Sequence, residues 1–175
     1  IYDCDALCCR TPDSCPYICV NKPLEFVAKV AQIEGFDLAN VKRFKGPKYL
    51  PLGPYAPVLF HGYKRTEAIK VDAVAVPLFD VLNTKTGVLR FSTKGELADQ
   101  YKFSATAKLI LTGVDKDEVI ERWWDLKNRS EVLRQLARFG ADLVMVPNYS
   151  LPMDVPRTED LFNVKRIARL WAEFG

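Results

Sequence analysis

Residues 108–146, KLILTGVDKDEVIERWWDLKNRSEVLRQLARFGADLVMV, decide the fold class. The stretch opens on a short apolar run, Lys108–Thr112, and ends on another, Leu143–Val146. Between them the spacing predicts two amphipathic helices, at about 115–125 and 130–139. Both apolar runs are continuous rather than alternating, which is how strands read when helices cover both faces of a parallel sheet.

Working outward, Val58–His61 and Val71–Val76 are further strands of the same kind, and residues 93–101 form a helix. Asn83–Gly87 reads as a turn. Downstream, Leu161, Val164, Ile167, Ala168, Trp171 and Phe174 repeat at helical spacing and predict a last helix over 157–174. Strands alternating with helices argue an α/β fold with a mostly parallel sheet, half-barrel-like or a fragment of a TIM-like barrel. Four strands cannot close an eight-stranded barrel. The chain begins at Ile1 and stops at Gly175, just where another strand is expected, so it reads as part of a longer protein with an α/β domain incomplete at its C-terminus.

Upstream, residues 1–22 are a cysteine-rich loop. Pro23 then opens a helix running to Glu34 with an apolar stripe of Phe26, Val27, Val30, Ala31 and Ile33. Residues 42–57 hold Gly46, Pro47, Pro51, Gly53, Pro54 and Pro57, a loop composition. The expected organisation is therefore a cysteine segment plus helix at 1–41, a connecting loop at 42–57 and an α/β domain at 58–175. A 49% hydrophobic and 27% charged composition is that of an ordinary globular domain. No run approaches the roughly 20 apolar residues of a bilayer span, and no leader is visible, so the sequence reads as cytoplasmic and without a membrane partner. A net charge of +3 does not by itself announce a polyanion partner.

All five cysteines, Cys4, Cys8, Cys9, Cys15 and Cys19, fall in the first nineteen residues. The pairs Cys4/Cys8 and Cys15/Cys19 are each spaced C-x3-C, and four soft thiolates suit zinc or an iron–sulfur cluster. Cys9 is then spare or replaces Cys8. Disulfides with one thiol left over, or a set of reduced thiols, are the alternatives. The spacing is neither the C-x3-C-x2-C of radical S-adenosylmethionine enzymes nor that of a standard zinc finger.

In parallel α/β folds, ligands bind beyond the carboxyl ends of the strands. There the sequence places His61 and Arg65, then Asp115 and Asp117, then Asn148 and Ser150, with Asp154 and Arg157 before the last helix. Asp115, Asn148, Ser150 and Arg157 are the candidates for direct chemistry, and His61, Arg65, Asp117 and Asp154 for ligand binding. Arg157 offers a planar fork for a carboxylate or phosphate. Asp115 and Asp154 are equally readable as helix caps, and Asn148 as a turn residue. His61 is the only histidine. No G-x-S-x-G, G-x-G-x-x-G or P-loop occurs, so a nucleotide cofactor has no motif to stand on. Lys42, Arg43, Lys45 and Lys48 interleave with Phe44, Tyr49 and Tyr55 in a pattern that suits nucleic acid, or simply a solvated loop. Lys165, Arg166 and Arg169 extend a basic face on the last helix. Trp123, Trp124 and Trp171 read as packing aromatics.

The segment from Lys108 onward resembles a bacterial and phage group known as domain-of-unknown-function family 4417. The resemblance rests on the apolar strand, Glu121, Trp123 and Trp124 in an acidic helix, and the run Pro147–Asn148–Tyr149–Ser150. Asp154, Pro156, Asn163 and Arg166 continue it. Asn148 stands where that group usually has Asp, so a role needing a carboxylate at that position is not implied. The resemblance implies a barrel-like α/β fold and no established activity.

Three functions are therefore compatible with the sequence. The first is an enzyme-like α/β protein with a metal or iron–sulfur centre and a strand-end pocket for a polar or anionic ligand. The second is a nucleic-acid-binding or processing accessory. The third is a cysteine-stapled interaction domain without catalysis.

Overall fold

The computed structural model describes residues 14–39, 41–42, 52–62, 64–153 and 155–174. In chain order its elements are α1 (Pro23–Gln32), β1 (Ala73–Pro77), α2 (Leu78–Val81), β2 (Leu82–Asn83) and β3 (Val88–Leu89). They continue with α3 (Lys94–Tyr101), β4 (Lys108–Thr112), α4 (Asp117–Trp124), α5 (Arg129–Phe139), β5 (Leu143–Val144) and α6 (Arg157–Phe174). The chain divides into two units, Ile1–Phe44 with Tyr149–Ala172, and Lys45–Asn148 with Glu173–Gly175. The cysteine segment thus shares its unit with most of α6, the helix that the sequence assigns to the α/β domain.

The larger unit is built on a parallel sheet in the order β1-β4-β5. Val58 bridges Ala75 in parallel on the free side of β1, so the parallel segments follow one another across the sheet in chain order. Every residue of β1 is buried, as are Leu109, Ile110 and Leu111 of β4, in keeping with their unbroken apolar composition. The last strand is shorter than the sequence suggests. Pro147 has no N–H to donate, but single bonds prolong the ladder: Met145 N to Leu111 O at 2.7 Å and Asn148 N to Gly113 O at 3.2 Å. Gly113 makes that approach possible. A Cβ there would stand 2.5 Å from Met145 O, Val146 C and Pro147 N.

Asn83–Gly87 is the turn of a small antiparallel hairpin, β2–β3, with Gly87 in the left-handed region at φ 69°. Helix α3 begins at Thr93, whose hydroxyl accepts Glu96 N at 3.2 Å while the Glu96 carboxylate accepts Ser92 N at 2.7 Å. Ile120 and Trp123 of α4 and Val132, Leu136 and Phe139 of α5 are the buried faces of those helices. Trp123 is fully buried, 5.7 Å from the Phe174 ring, and Arg129 holds both Glu173 oxygens at 3.0 Å. Of the three tryptophans, only Trp123 is buried in the core. Trp124 lies under the Arg129 guanidinium at 5.1 Å, and Trp171 is 56% exposed.

In the smaller unit, Ile18, Ile33, Tyr149, Phe162 and Leu170 form the core. Glu159 accepts Ile18 N at 2.8 Å, Thr158 donates to Ile18 O, and Arg169 donates to Gln32 O at 2.8 Å. Helix α1 buries none of its residues fully, and Val27 of its apolar stripe is exposed. Lys165 and Arg166 do not lie on a basic surface. Lys165 is buried and donates to Asp37 O. Arg166 is 2% exposed, its guanidinium 3.8 Å from the Tyr149 ring and 4.2 Å from the Phe162 ring. Its Nη2 donates to Asn163 Oδ1, and Asn163 Nδ2 donates to Ser150 O at 3.2 Å. Two aromatic faces suit a weakly hydrated, planar cation, which explains a burial that helical periodicity does not foretell.

Candidate strand-end site

The carboxyl edge of the parallel sheet receives polar groups from successive segments. Beyond β1 the chain turns directly into the short α2 and presents Asp80. Beyond β4, Gly113 and Val114 lead to Asp115. Beyond the β5 ladder comes Asn148, its backbone fixed to Gly113.

Asp80 is the chemically distinctive member. Its Oδ2 accepts the Tyr101 hydroxyl at 3.2 Å, and its carboxyl is held above the usual Asp value. Burial is the main cause. The Tyr101 hydrogen bond works against the rise, the Asp115 charge adds to it, and Arg90 opposes it. The Tyr101 hydroxyl is pushed up to about 12, first by burial and then by the Asp80 charge and hydrogen bond, so it stays protonated as a donor. Its ring is buried and meets Phe91 edge-on, with centroids 6.1 Å apart and planes at 82°.

Tyr101 is itself held from behind. Arg65 Nη1 donates to Tyr101 O at 3.1 Å and also to His61 O. Gly62 lies so close that a Cβ on it would stand 2.1 Å from Gln100 O and 2.6 Å from Tyr101 Cα. Only glycine permits that contact. Arg65 thus ties His61 to the end of α3, and the His61 side chain is exposed.

Asp115 is not consumed as a helix cap. The N-cap of α4 is Lys116, with no side-chain cap bond, and Asp115 Oδ1 accepts only the adjoining Lys116 N, at 2.7 Å, among the described residues. Asp117 lies in the first turn of α4, half-buried. Asn148 is exposed and belongs with Asp115 to the larger unit. Ser150 and Arg157, both exposed, belong to the smaller one. Lys42 is exposed. Asp154, Arg43, Lys45 and Lys48 lie outside the described residues, as do Cys4, Cys8 and Cys9. Cys15 and Cys19 are half-buried, have no disulfide between them, and border a turn in which Lys22 N donates to Cys19 O at 3.0 Å and Lys22 Nζ to Cys15 O at 2.8 Å. No group of three metal-ligating side chains occurs among the described residues.

Sequence reasoning missed Asp80, Tyr101 and Arg90. A signal for Asp80 was present. It is the single charge in the run 73–82, AVAVPLFDVL, and a carboxylate inside an apolar stretch must find a partner or change its acidity.

The opposite, amino edge is built differently. Asp142, just before β5, accepts Lys108 Nζ at 2.8 Å, Leu109 N at 2.9 Å and Lys94 Nζ at 3.1 Å. A shallow cleft at the same edge is lined by Leu52, Gly53, Val71, Asp72, Thr106 and Lys108. It lies away from Asp80. No helix among the described residues is long and apolar enough to cross a membrane. No protein-family model, curated protein or solved structure matches this chain.

Proposed function

We propose that this is an enzyme-like α/β protein that binds a polar ligand at the carboxyl edge of its parallel sheet, with Asp80, Asp115 and Asn148 around it. The observation that carries this reading is the pair of carboxylates delivered beyond two adjacent strands, one of them half-buried and harder to ionise, chiefly because of that burial and secondarily because of the other. Two carboxylates repel an anion. They favour a ligand that donates hydrogen bonds, such as a polyol, amide or amine, over the phosphate or carboxylate that Arg157 alone would invite. Chain-order addition of parallel segments is also how a (β/α) barrel winds, which supports a half-barrel and agrees with the resemblance to family 4417.

The test is a thermal-shift and calorimetric screen of neutral polyols, amides and amines against wild type, Asp80→Asn and Asp115→Asn. Ligands that bind wild type and lose affinity in both variants support the reading. Ligands indifferent to both overturn it.

A thiolate-bound zinc or iron–sulfur centre in the cysteine segment is the second part of the proposal. Cys15 and Cys19, four residues apart around one turn, would supply two ligands, with Cys4 and Cys8 completing the set. Metal and sulfide analysis of anaerobically purified protein tests it, with Cys15→Ser/Cys19→Ser as the comparison. Equal metal content in both preparations sinks it.

A further inference from the structure

We propose that the open flank of the parallel sheet, at residues 56–58, is a contact surface for a second copy of this chain, which lays its own residues 56–58 alongside in the antiparallel sense. The chain bends at Pro54 and again at Phe60, and between the bends it runs along β1. Leu59 N donates to Ala75 O at 2.7 Å, and Ala75 N donates to Pro57 O at 2.9 Å. Backbone groups of successive residues in a strand point to opposite sides. With Pro57 and Leu59 turned to β1, the N–H and C=O of Ala56 and Val58 point away from the sheet, and among the described residues they meet no partner. Pro57 lacks an N–H, but its nitrogen faces β1, so the proline takes nothing from the outward side. An unpaired flank of this kind is a template for another strand. The side chains exposed there are apolar: Val58 is 50% exposed, Phe60 65% and Tyr55 71%.

The flank is complementary to itself. A two-fold axis at Pro57 sets Val58 opposite Ala56 of the partner subunit, and Ala56 opposite Val58 of the partner subunit. Each opposed pair exchanges both of its N–H···O=C bonds, so the outward groups of both residues are satisfied. A larger side chain then meets a smaller one at every pair, and Phe60 reaches toward Pro54 of the partner subunit. Charge agrees with this direction. The Asp72 carboxylate adjoins Gly53, on which a Cβ would stand 3.7 Å from Asp72 Oδ2, while Lys64, exposed, follows the other end of the segment. Antiparallel pairing carries the acidic end of one copy to the basic end of the other. With Phe and Tyr side chains of roughly 150–250 Å², the exposed parts of Tyr55, Val58 and Phe60 amount to roughly 300–400 Å² per copy. Twice that lies under the roughly 1,200 Å² of a standard stable interface, so the dimer is weak and reversible. None of the groups of the strand-end site takes part.

The experiment is sedimentation velocity of the whole chain at rising concentration, under reducing conditions so that its cysteines cannot cross-link copies. Wild type is compared with Val58→Lys, which puts a charge on the flank, and with Val58→Pro, which deletes the outward N–H. Wild type is expected to move from monomer toward dimer between about 10 μM and about 1 mM. Both variants are expected to weaken that association by roughly tenfold or more. Amide hydrogen exchange then locates the contact. The Ala56 and Val58 amides should slow as the wild-type concentration rises, while the Leu59 amide, already bonded to Ala75, should not change. If Val58→Pro fails to fold, Val58→Lys and the exchange pattern still decide. Wild type that stays monomeric to about 1 mM overturns the proposal, whether or not the flank takes up some other extended peptide. So does a dimer that Val58→Lys leaves intact, or one whose concentration-dependent protection lies outside residues 55–60.

Discussion

Replacing Asp142 by Asn should cost the protein measurable stability without touching the strand-end site. Burial alone would raise this carboxyl, but the Lys108 ammonium, the Leu109 N–H and the Lys94 ammonium outweigh it and bring it from an ordinary 3.8 to about 2. A gap of that size is worth about 2.5 kcal/mol of preference for the ionised, folded form. Asp142 keeps 19% of its side chain in water, and the two lysines keep more, so screening reduces the figure to about 1–2 kcal/mol. Asn can still accept from Leu109, and the loss falls on the two ion pairs. For a chain of this length that is a drop of roughly 3–6 °C in Tm.

The pH dependence gives the stricter test. A carboxyl whose folded value is depressed stabilises the fold above its unfolded value, and that contribution disappears as pH falls from about 4 through about 2. Urea melts of wild type and Asp142→Asn should therefore differ by the full amount at pH 7 and converge toward pH 2. A difference below about 0.3 kcal/mol at pH 7, or one that persists unchanged at pH 2.5, would refute the assignment of the stabilisation to this charge cluster.

Asp80→Asn should behave in the opposite sense: at pH 7 the variant should be as stable as wild type or more so in thermal melts. Its folded value is raised, so the ionised form is a burden once pH exceeds that value. Arg166→Ala should cost about 3 kcal/mol in urea unfolding, the range for emptying a large buried side-chain site and losing its hydrogen bond, and Arg166→Lys should recover little because a compact ammonium cannot fill the slot between Tyr149 and Phe162. Gly113→Ala should cost about 2 kcal/mol or more and raise amide exchange at Met145 and Asn148, because the added methyl meets backbone at 2.5 Å. An alkaline absorbance titration of Tyr101→Phe should lack a tyrosine contribution that wild type keeps protonated up to about pH 12.

The sheet was readable from sequence because a parallel strand covered on both faces leaves an unbroken apolar run: β1 is buried along its whole length and β4 over its three central residues. The β5 ladder was less so. Its run of apolar residues continues to Val146, but Pro147 and the close approach at Gly113 turn the end of the strand into separate hydrogen bonds. Within the site, Asp115 was visible because it follows a strand and precedes a helix. Tyr101 was not. Nothing in a helix-terminal tyrosine announces that Gly62 and Arg65 will pack against its backbone, since that depends on contacts between residues 36 positions apart. Arg166 was misread for the same reason. A charged residue on an amphipathic helix looks solvated until Tyr149 and Phe162 are brought to either side of it.

The two edges of the sheet answer different physical demands. At the amino edge, Asp142 is an acid made stronger by two lysines and a backbone N–H, a satisfied arrangement whose removal weakens the fold. At the carboxyl edge, Asp80 is an acid made weaker by burial and by a second carboxylate, with one phenol and one guanidinium working against the shift. Stability alone does not select the second arrangement, because an asparagine or leucine would relieve it. The same reasoning separates the two aspartates by experiment: neutralising Asp142 should weaken the fold and spare ligand binding, while neutralising Asp80 should spare the fold and abolish binding.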